Sequence, residues 1–316
     1  MIDHILNFKT VKKGNLFFPE SELKLSKTSV SFGKKWENVN NIEEKEFEKY
    51  DKFQKEWFLK LYGFKNENEL KIYLNKNKII IDAGCGLGHK TKWFSELSPQ
   101  SIVIGVDISS SIYLASERYK NPRLFFVKGD ISLPIFKKDQ IDLVICDQVI
   151  MHTKKPEDTF KRLSNSIKNN GKFFCYVYKK KALPRELIDD YFRENSKNYS
   201  EKELWEFSSQ ISNLGKKLDE IDLEIDFPEV KLLDIKAGKY SIQRFIYWNF
   251  LKIFYNRDFS KEMNDSVNFD WYAPEQAKRF TKKEYMNLIE ENSLHIDYFN
   301  QEEACFSSRM TKTKKA

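Results

Sequence analysis

The chain has 316 residues, with 54 basic against 47 acidic side chains and a formal charge of +7. It is long enough to bury a full core and to carry more than one domain. Residues 1–20 mix charges throughout and no apolar run approaches the ~20 residues that a membrane span needs, so neither a leader nor an anchor is expected, and a cytoplasmic setting follows. The basic excess is spread along the chain rather than massed on one arm, which argues against a nucleic-acid partner. Only Lys312, Lys314 and Lys315 cluster, as a solvated terminus would. Cysteines at 85, 146, 175 and 305 form no Cys-x-x-Cys pair, and the histidines at 4, 89, 152 and 295 add no ligand spacing, so buried thiols and no metal are expected.

In chain order, residues 1–77 read as an N-terminal cap. Phe47, Tyr50, Trp57 and Leu61 recur at helical spacing within 43–64, and Ser31-Phe32-Gly33-Lys34-Lys35-Trp36 lies just ahead. A core begins at Lys78 with Ile-Ile-Ile-Asp-Ala-Gly-Cys-Gly-Leu-Gly. Three β-branched residues suit a strand buried on both faces, and Gly84, Gly86 and Gly88 allow φ > 0 and let a ligand touch the backbone around Cys85. A helix over His89–Leu97 follows, so strand, glycine turn and helix form the first unit of a Rossmann-type nucleotide site. The spacing is Gly-x-Gly-x-Gly rather than the Gly-x-Gly-x-x-Gly of dinucleotide sites.

Further apolar strands end in chemistry-bearing residues. Ser101–Val106 ends at Asp107 and Ile108, Leu124–Lys128 ends in Gly129, Asp130 and Ile131, and Ile141–Cys146 ends in Asp147, Gln148 and, four residues on, His152. A carboxylate at 107 can accept from both ribose hydroxyls, and one at 130 from an adenine amino group. Pro156 opens a helix to Ile167, and Phe173–Tyr178 reads as a fifth strand closing the segment 78–178.

Segment 179–280 is far too long for a loop and must be a structured insertion. Ser200 and Glu203 make a capping box ahead of an apolar face at Leu204, Phe207, Ile211, Leu214 and Leu218. Aromatics crowd 241–255, and Asn268-Phe269-Asp270-Trp271-Tyr272-Ala273-Pro274 reads as a loop. Residues 281–316 then give a helix behind a Thr281/Glu284 capping box and two closing strands, His295–Asn300 and Ala304–Met310.

These motifs closely resemble those of class I S-adenosylmethionine-dependent methyltransferases, well over 78–178 and loosely over the last 25 residues. The resemblance implies an α/β, doubly wound, seven-stranded Rossmann-like sheet with a helical cap and a mostly helical insertion. The implied cofactor is S-adenosylmethionine, with S-adenosylhomocysteine as product. Asp82 and the backbone of Gly84–Gly86 match the part that holds the methionine moiety. Asp107 matches the ribose ligand, Ile108 the adenine packing, Asp130 and Ile131 the adenine edge, and Asp147 and Gln148 the segment beside the sulfonium.

Methyl transfer needs an aligned nucleophile, exclusion of water and, for a hydroxyl acceptor, removal of a proton. His152 is the candidate base. Because open α/β sheets bind ligands beyond their strand ends, the insertion is expected to roof a pocket for a small polar acceptor, a sugar or related intermediate. Arg244 would pair there with an acidic group, and Asn268, Trp271 and Tyr272 would supply hydrogen bonds and a stacking face. An RNA or other macromolecular methyltransferase is the alternative, although Asp147-Gln148-Val149-Ile150 replaces the Asn/Asp-Pro-Pro-aromatic run of base-amino enzymes. A cofactor-binding regulator without turnover is a second alternative.

Overall fold

The computed structural model describes residues 2–314 except 22, 24 and 41–43. Side chains of 35–40, Trp36 among them, and residue Lys315 lie outside the described set. The chain divides into two compact units, one comprising Met1–Glu37, Glu48–Lys179 and Lys278–Ala316, the other Asn38–Phe47 and Lys180–Ala277.

The first unit is built on a ten-stranded sheet. Its N-terminal elements are β1 (Thr10–Lys13), β2 (Leu16–Pro19), most of α1 (Lys27–Asn40) and α2 (Glu44–Leu61), and α3 (Glu67–Leu74). The alternating core follows as β3 (Ile79–Ala83), α4 (His89–Leu97), β4 (Ile102–Asp107), α5 (Ser111–Arg118), β5 (Leu124–Lys128), β6 (Ile141–Cys146), α6 (Pro156–Ser166) and β7 (Ile167–Lys179).

The second unit supplies α7 (Leu183–Asn195), α8 (Glu201–Asp219), β8 (Glu224–Phe227), β9 (Gly238–Ser241), α9 (Ile242–Asn249) and α10 (Lys261–Tyr272). The first then resumes with β10 (Arg279–Phe280), α11 (Lys282–Glu291), β11 (Leu294–Gln301) and β12 (Cys305–Lys312).

Strand order is β1-β2-β5-β4-β3-β6-β7-β12-β11, with β10 beside β7. The stretch β5-β4-β3-β6-β7-β12-β11 is the expected seven-stranded sheet, parallel from β5 to β7, with β12 antiparallel to β7. Alternate side chains point to opposite faces. Ile81, Ile104, Val127 and Val144 enter one core, and Ile80, Val103, Phe126 and Leu143 the other. Burial on both faces is what the unbroken Ile79-Ile80-Ile81 run demands.

The N-terminal segment carries strands beside its expected helices. β1 and β2 form a hairpin closed at Gly14-Asn15, and β2 joins β5 in parallel through Leu16↔Phe126 and Phe17↔Val127. Lys312 is not a solvated tail residue either: its ammonium pairs with Asp139 at 2.9 Å and donates to the Ile167 carbonyl at 2.7 Å.

In the second unit both α8 and α10 carry side-chain N-caps, and the Ser200/Glu203 capping box forms. The buried face of α8 departs from the leucine stripe read in the sequence. Leu204 and Ile211 are buried, but Leu214 is exposed, and the stripe continues through Ser208, Ser212 and Gly215. These small residues let neighbouring backbone approach: a Cβ on Gly215 would stand 3.2 Å from the Ile253 carbonyl.

Candidate active site

The ends of β3, β4, β5 and β6 meet at one edge of the sheet. Past Asp82 and Ala83 the chain turns sharply, and the amides of Gly84 and Cys85 both donate to the Val106 carbonyl, at 2.7 and 3.0 Å. Gly84, Gly86 and Gly88 have φ of 88°, 54° and 76°, the region that favours glycine. A Cβ on Gly84 would stand 2.4 Å from the methyls of Val149, and one on Gly88 2.9 Å from the Phe126 ring. The loop is therefore bare backbone packed against its walls.

Asp107 is pinned at the end of β4. One oxygen accepts from the Gly86 amide at 2.8 Å, the other from the Ser109 amide at 2.8 Å and the Ser109 hydroxyl at 2.6 Å. The N-cap of α5 is Ser110, so Asp107 is not held there by a capping duty. Ile108 is half-buried beside it. Asp130 accepts the Ser132 amide at 2.8 Å in an Asx turn. The Ile131 side chain is buried in the core.

Burial pushes the Asp82 carboxyl up to about 6; the Thr91 hydroxyl, which donates to it at 2.6 Å, and the Lys90 charge pull it back down, while Asp147 and Asp107 push it further up. Raised above its ordinary value, Asp82 favours the folded state most in acid, and that contribution is lost as pH rises through about 6. Asp147 accepts from Tyr62 at 3.0 Å and forms an ion pair with Lys90. Lys90 is the site residue that the sequence reading missed. Its only signal was its place in the first turn of α4, directly after the glycine loop.

Gln148 sits at φ 63°, a left-handed conformation that costs a non-glycine residue on the order of 1–3 kcal/mol. It is held there by donating to Gln54 at 3.2 Å and Asp147 at 3.3 Å. Val149 packs on Gly84, and the short 3-10 turn Ile150–His152 follows.

The His152 Nε2 lies 3.3 Å from the Tyr178 hydroxyl. Phe32 meets the imidazole edge-on at 4.9 Å, and Tyr178 meets it at 5.4 Å. The wall continues from Tyr178 to Tyr176, Trp57 and Phe53 at ring separations of 5.9, 5.9 and 6.0 Å. Phe53 and Trp57 of α2 thus end in a row that leads to His152.

The acceptor residues expected on the insertion do not form a loop: Asn268, Trp271 and Tyr272 lie on α10 and are buried. Asn268 accepts the Phe254 amide at 2.9 Å and donates to Ser212 at 3.0 Å. Trp271 donates to Asp189 at 3.0 Å, and Tyr272 donates to the Lys252 carbonyl at 2.8 Å. Their polar groups hold the insertion together, because its irregular stretch near 250–256 needs partners for its backbone. Arg244 is half-buried, its guanidinium 5.4 Å from the Tyr247 ring centre.

Among the described residues, no cluster of His, Cys, Asp or Glu is placed to hold a metal, and no helix is long and apolar enough to cross a membrane.

Residues 81–175 match the family model described as a methyltransferase domain. The chain is similar to a ubiquinone biosynthesis O-methyltransferase of Glaesserella parasuis, 26% identical over 168 residues, covering 48% of this chain and 70% of that protein. It is also similar to a malonyl-[acyl-carrier protein] O-methyltransferase of Halalkalibacterium halodurans, 28% identical over 99 residues, covering 30% and 36% of the two chains. A solved S-adenosylmethionine-dependent methyltransferase from Mesorhizobium loti aligns with a TM-score of 0.47 at 11% identity, over 78% of this chain and 99% of the other.

The bare glycine cradle and the acidic strand ends fit a nucleoside carrying a methionine tail. Residues 81–175 are thus a methyltransferase domain, and with its strand-end motifs it is of the class I S-adenosylmethionine-dependent kind.

Proposed function

We propose that this chain transfers the methyl group of S-adenosylmethionine to a hydroxyl of a small polar metabolite, a sugar or related biosynthetic intermediate, with His152 taking the proton. The observation that carries this reading is the His152–Tyr178 pair at the end of the aromatic row, three residues after the Val149 that packs on Gly84. The O-methyltransferase names of two relatives agree with an oxygen acceptor.

The cofactor supplies an electrophilic methyl on its sulfonium, and the chain binds, orients and removes a proton. Asp107 accepts the ribose hydroxyls, with Ile108 against the adenine and Asp130 and the Ile131 main chain at its edge. Asp82, the backbone from Gly84 through Cys85 to Gly88, and Gln148 surround the methionine end. There Lys90 and Asp147 present opposite charges to a group that itself carries a carboxylate and an ammonium. Tyr178 fixes the orientation of the imidazole, and its ring, with Tyr176 and Trp57, gives a sugar or similar ring an apolar face to lie on.

Incubation with methyl-labelled cofactor and a metabolite extract tests the reading. Label should enter a low-molecular-mass product, and Lys90→Met should raise the KM for the cofactor about tenfold. Label found only in RNA or protein would overturn it.

A further inference from the structure

Between β5 and β6 the chain takes an apolar detour with a basic end. Residues 133–138 read Leu-Pro-Ile-Phe-Lys-Lys. Ile135 and Phe136 are buried in the core, whereas Leu133 is 50% exposed and Pro134, Lys137 and Lys138 are exposed beside it. The detour is tied down on both sides. Leu6 bridges to Phe136 in antiparallel register, the Asn7 amide donates to the Ile135 carbonyl at 2.9 Å, and the Lys137 amide donates to the Ile5 carbonyl at 2.8 Å. From α6, the half-buried Arg162 donates to the Ser132 carbonyl at 2.6 Å.

These three segments enclose a cavity of about 320 Å³, at the small end of the range for small-molecule sites. Leu133, Pro134 and Leu163 line it with carbon, Arg162, Lys137 and Lys138 bring three cations to it, and no lining residue is acidic. The neighbouring acids are engaged elsewhere: Asp139 pairs with Lys312 and Asp142 with Lys168, each at 2.9 Å. Among the described residues, none of the three cations has a carboxylate within ion-pair distance.

The two halves of the cavity say what fills it. An inorganic ion would satisfy the cations but leave the carbon wall wet. An uncharged apolar molecule would cover the wall but leave three cations without a counter-charge. An organic anion does both. Because the wall is already held by hydrogen bonds to the N-terminal segment and α6, binding does not carry the ordering cost of a free loop.

We propose that this cavity is a second small-molecule site, which takes a carboxylate or phosphate ester with a compact apolar body. It shares no residue with the glycine loop or the acidic strand ends, and the proposal is independent of methyl transfer.

Isothermal titration of the full chain with benzoate, phenyl phosphate and inorganic phosphate tests it. At least one organic probe should bind once per chain, about tenfold or more tighter than inorganic phosphate, and the tighter of the two names the head group. Leu133→Glu sets a carboxylate in the wall at a half-exposed position, so the dissociation constant should rise about tenfold or more while circular dichroism stays unchanged. Arg162→Met should weaken binding to a similar extent. Lys161→Ser removes an exposed lysine outside the cavity and should leave binding intact. S-adenosylhomocysteine should not displace the probe. Neither organic probe bound at millimolar concentration, inorganic phosphate bound as tightly, full binding in Leu133→Glu, Lys161→Ser as damaging as Arg162→Met, or displacement by S-adenosylhomocysteine would each overturn the proposal.

Discussion

Replacing His152 by Ala should lower turnover by roughly 10²–10⁴-fold while leaving cofactor affinity nearly constant, the range that loss of a positioned general base produces. The imidazole reaches the site through a chain of local constraints. β6 ends at Asp147, Gln148 is held in a left-handed conformation by Gln54, Val149 packs on Gly84, and the 3-10 turn then points His152 at Tyr178. Tyr178→Phe removes the orienting hydroxyl but keeps the ring, so its effect on kcat should be smaller, about tenfold. Full activity of His152→Ala at every pH would remove it from the chemistry and favour an acceptor that needs no base.

The second large effect lies in the insertion. Arg185→Met should destabilise that unit by about 3–5 kcal/mol, since it strands a buried carboxylate. Arg185 is bonded to Asp189 and to the Tyr247 carbonyl, and its guanidinium lies 5.1 Å from the Trp271 ring centre. Without it, Asp189 keeps the Trp271 indole as its donor.

The double variant Arg185→Met/Asp189→Leu removes both charges and should recover much of the loss, as urea unfolding followed by tryptophan fluorescence would show. Tyr247 provides a second readout. Burial alone would raise its phenol, but the charges of Lys252, Arg185 and Arg244 outweigh that and hold it below its ordinary value. Spectroscopic titration should show it moving up in Arg185→Met. A single variant as stable as the wild type would mean that the pair is solvated in solution.

The parts of this fold that were legible in the sequence are those written locally. Ile79–Ile81 carries its own strand signal, the three glycines announce a turn at positive φ, and Thr281 with Glu284 builds the expected capping box. The N-terminal hairpin was not read. Its turn at Gly14 is local, but the reason for its existence is the pairing of Leu16 with Phe126, more than a hundred residues away. Segment 268–272 was misread because polar residues are not expected inside a helix bundle. Asn264 and Asn268 are buried there because they bind the amides of Asn256 and Phe254 in a stretch with no regular structure of its own. Lys90 was missed for a different reason: a lysine early in a helix is ordinary until Asp147 is known to stand opposite.

The account rests on the strand-end acids holding the nucleoside, and Asp107 is the acid on which most of the local geometry converges. Isothermal titration of S-adenosylmethionine into the wild type and into Asp107→Ala tests this directly. The wild type should bind one cofactor per chain, and the variant should bind it about 10–100-fold more weakly, the loss of about 1.5–3 kcal/mol expected for hydrogen bonds to a charged acceptor. Equal affinity in the two proteins, with the variant folded, would contradict the placement of the ribose at Asp107.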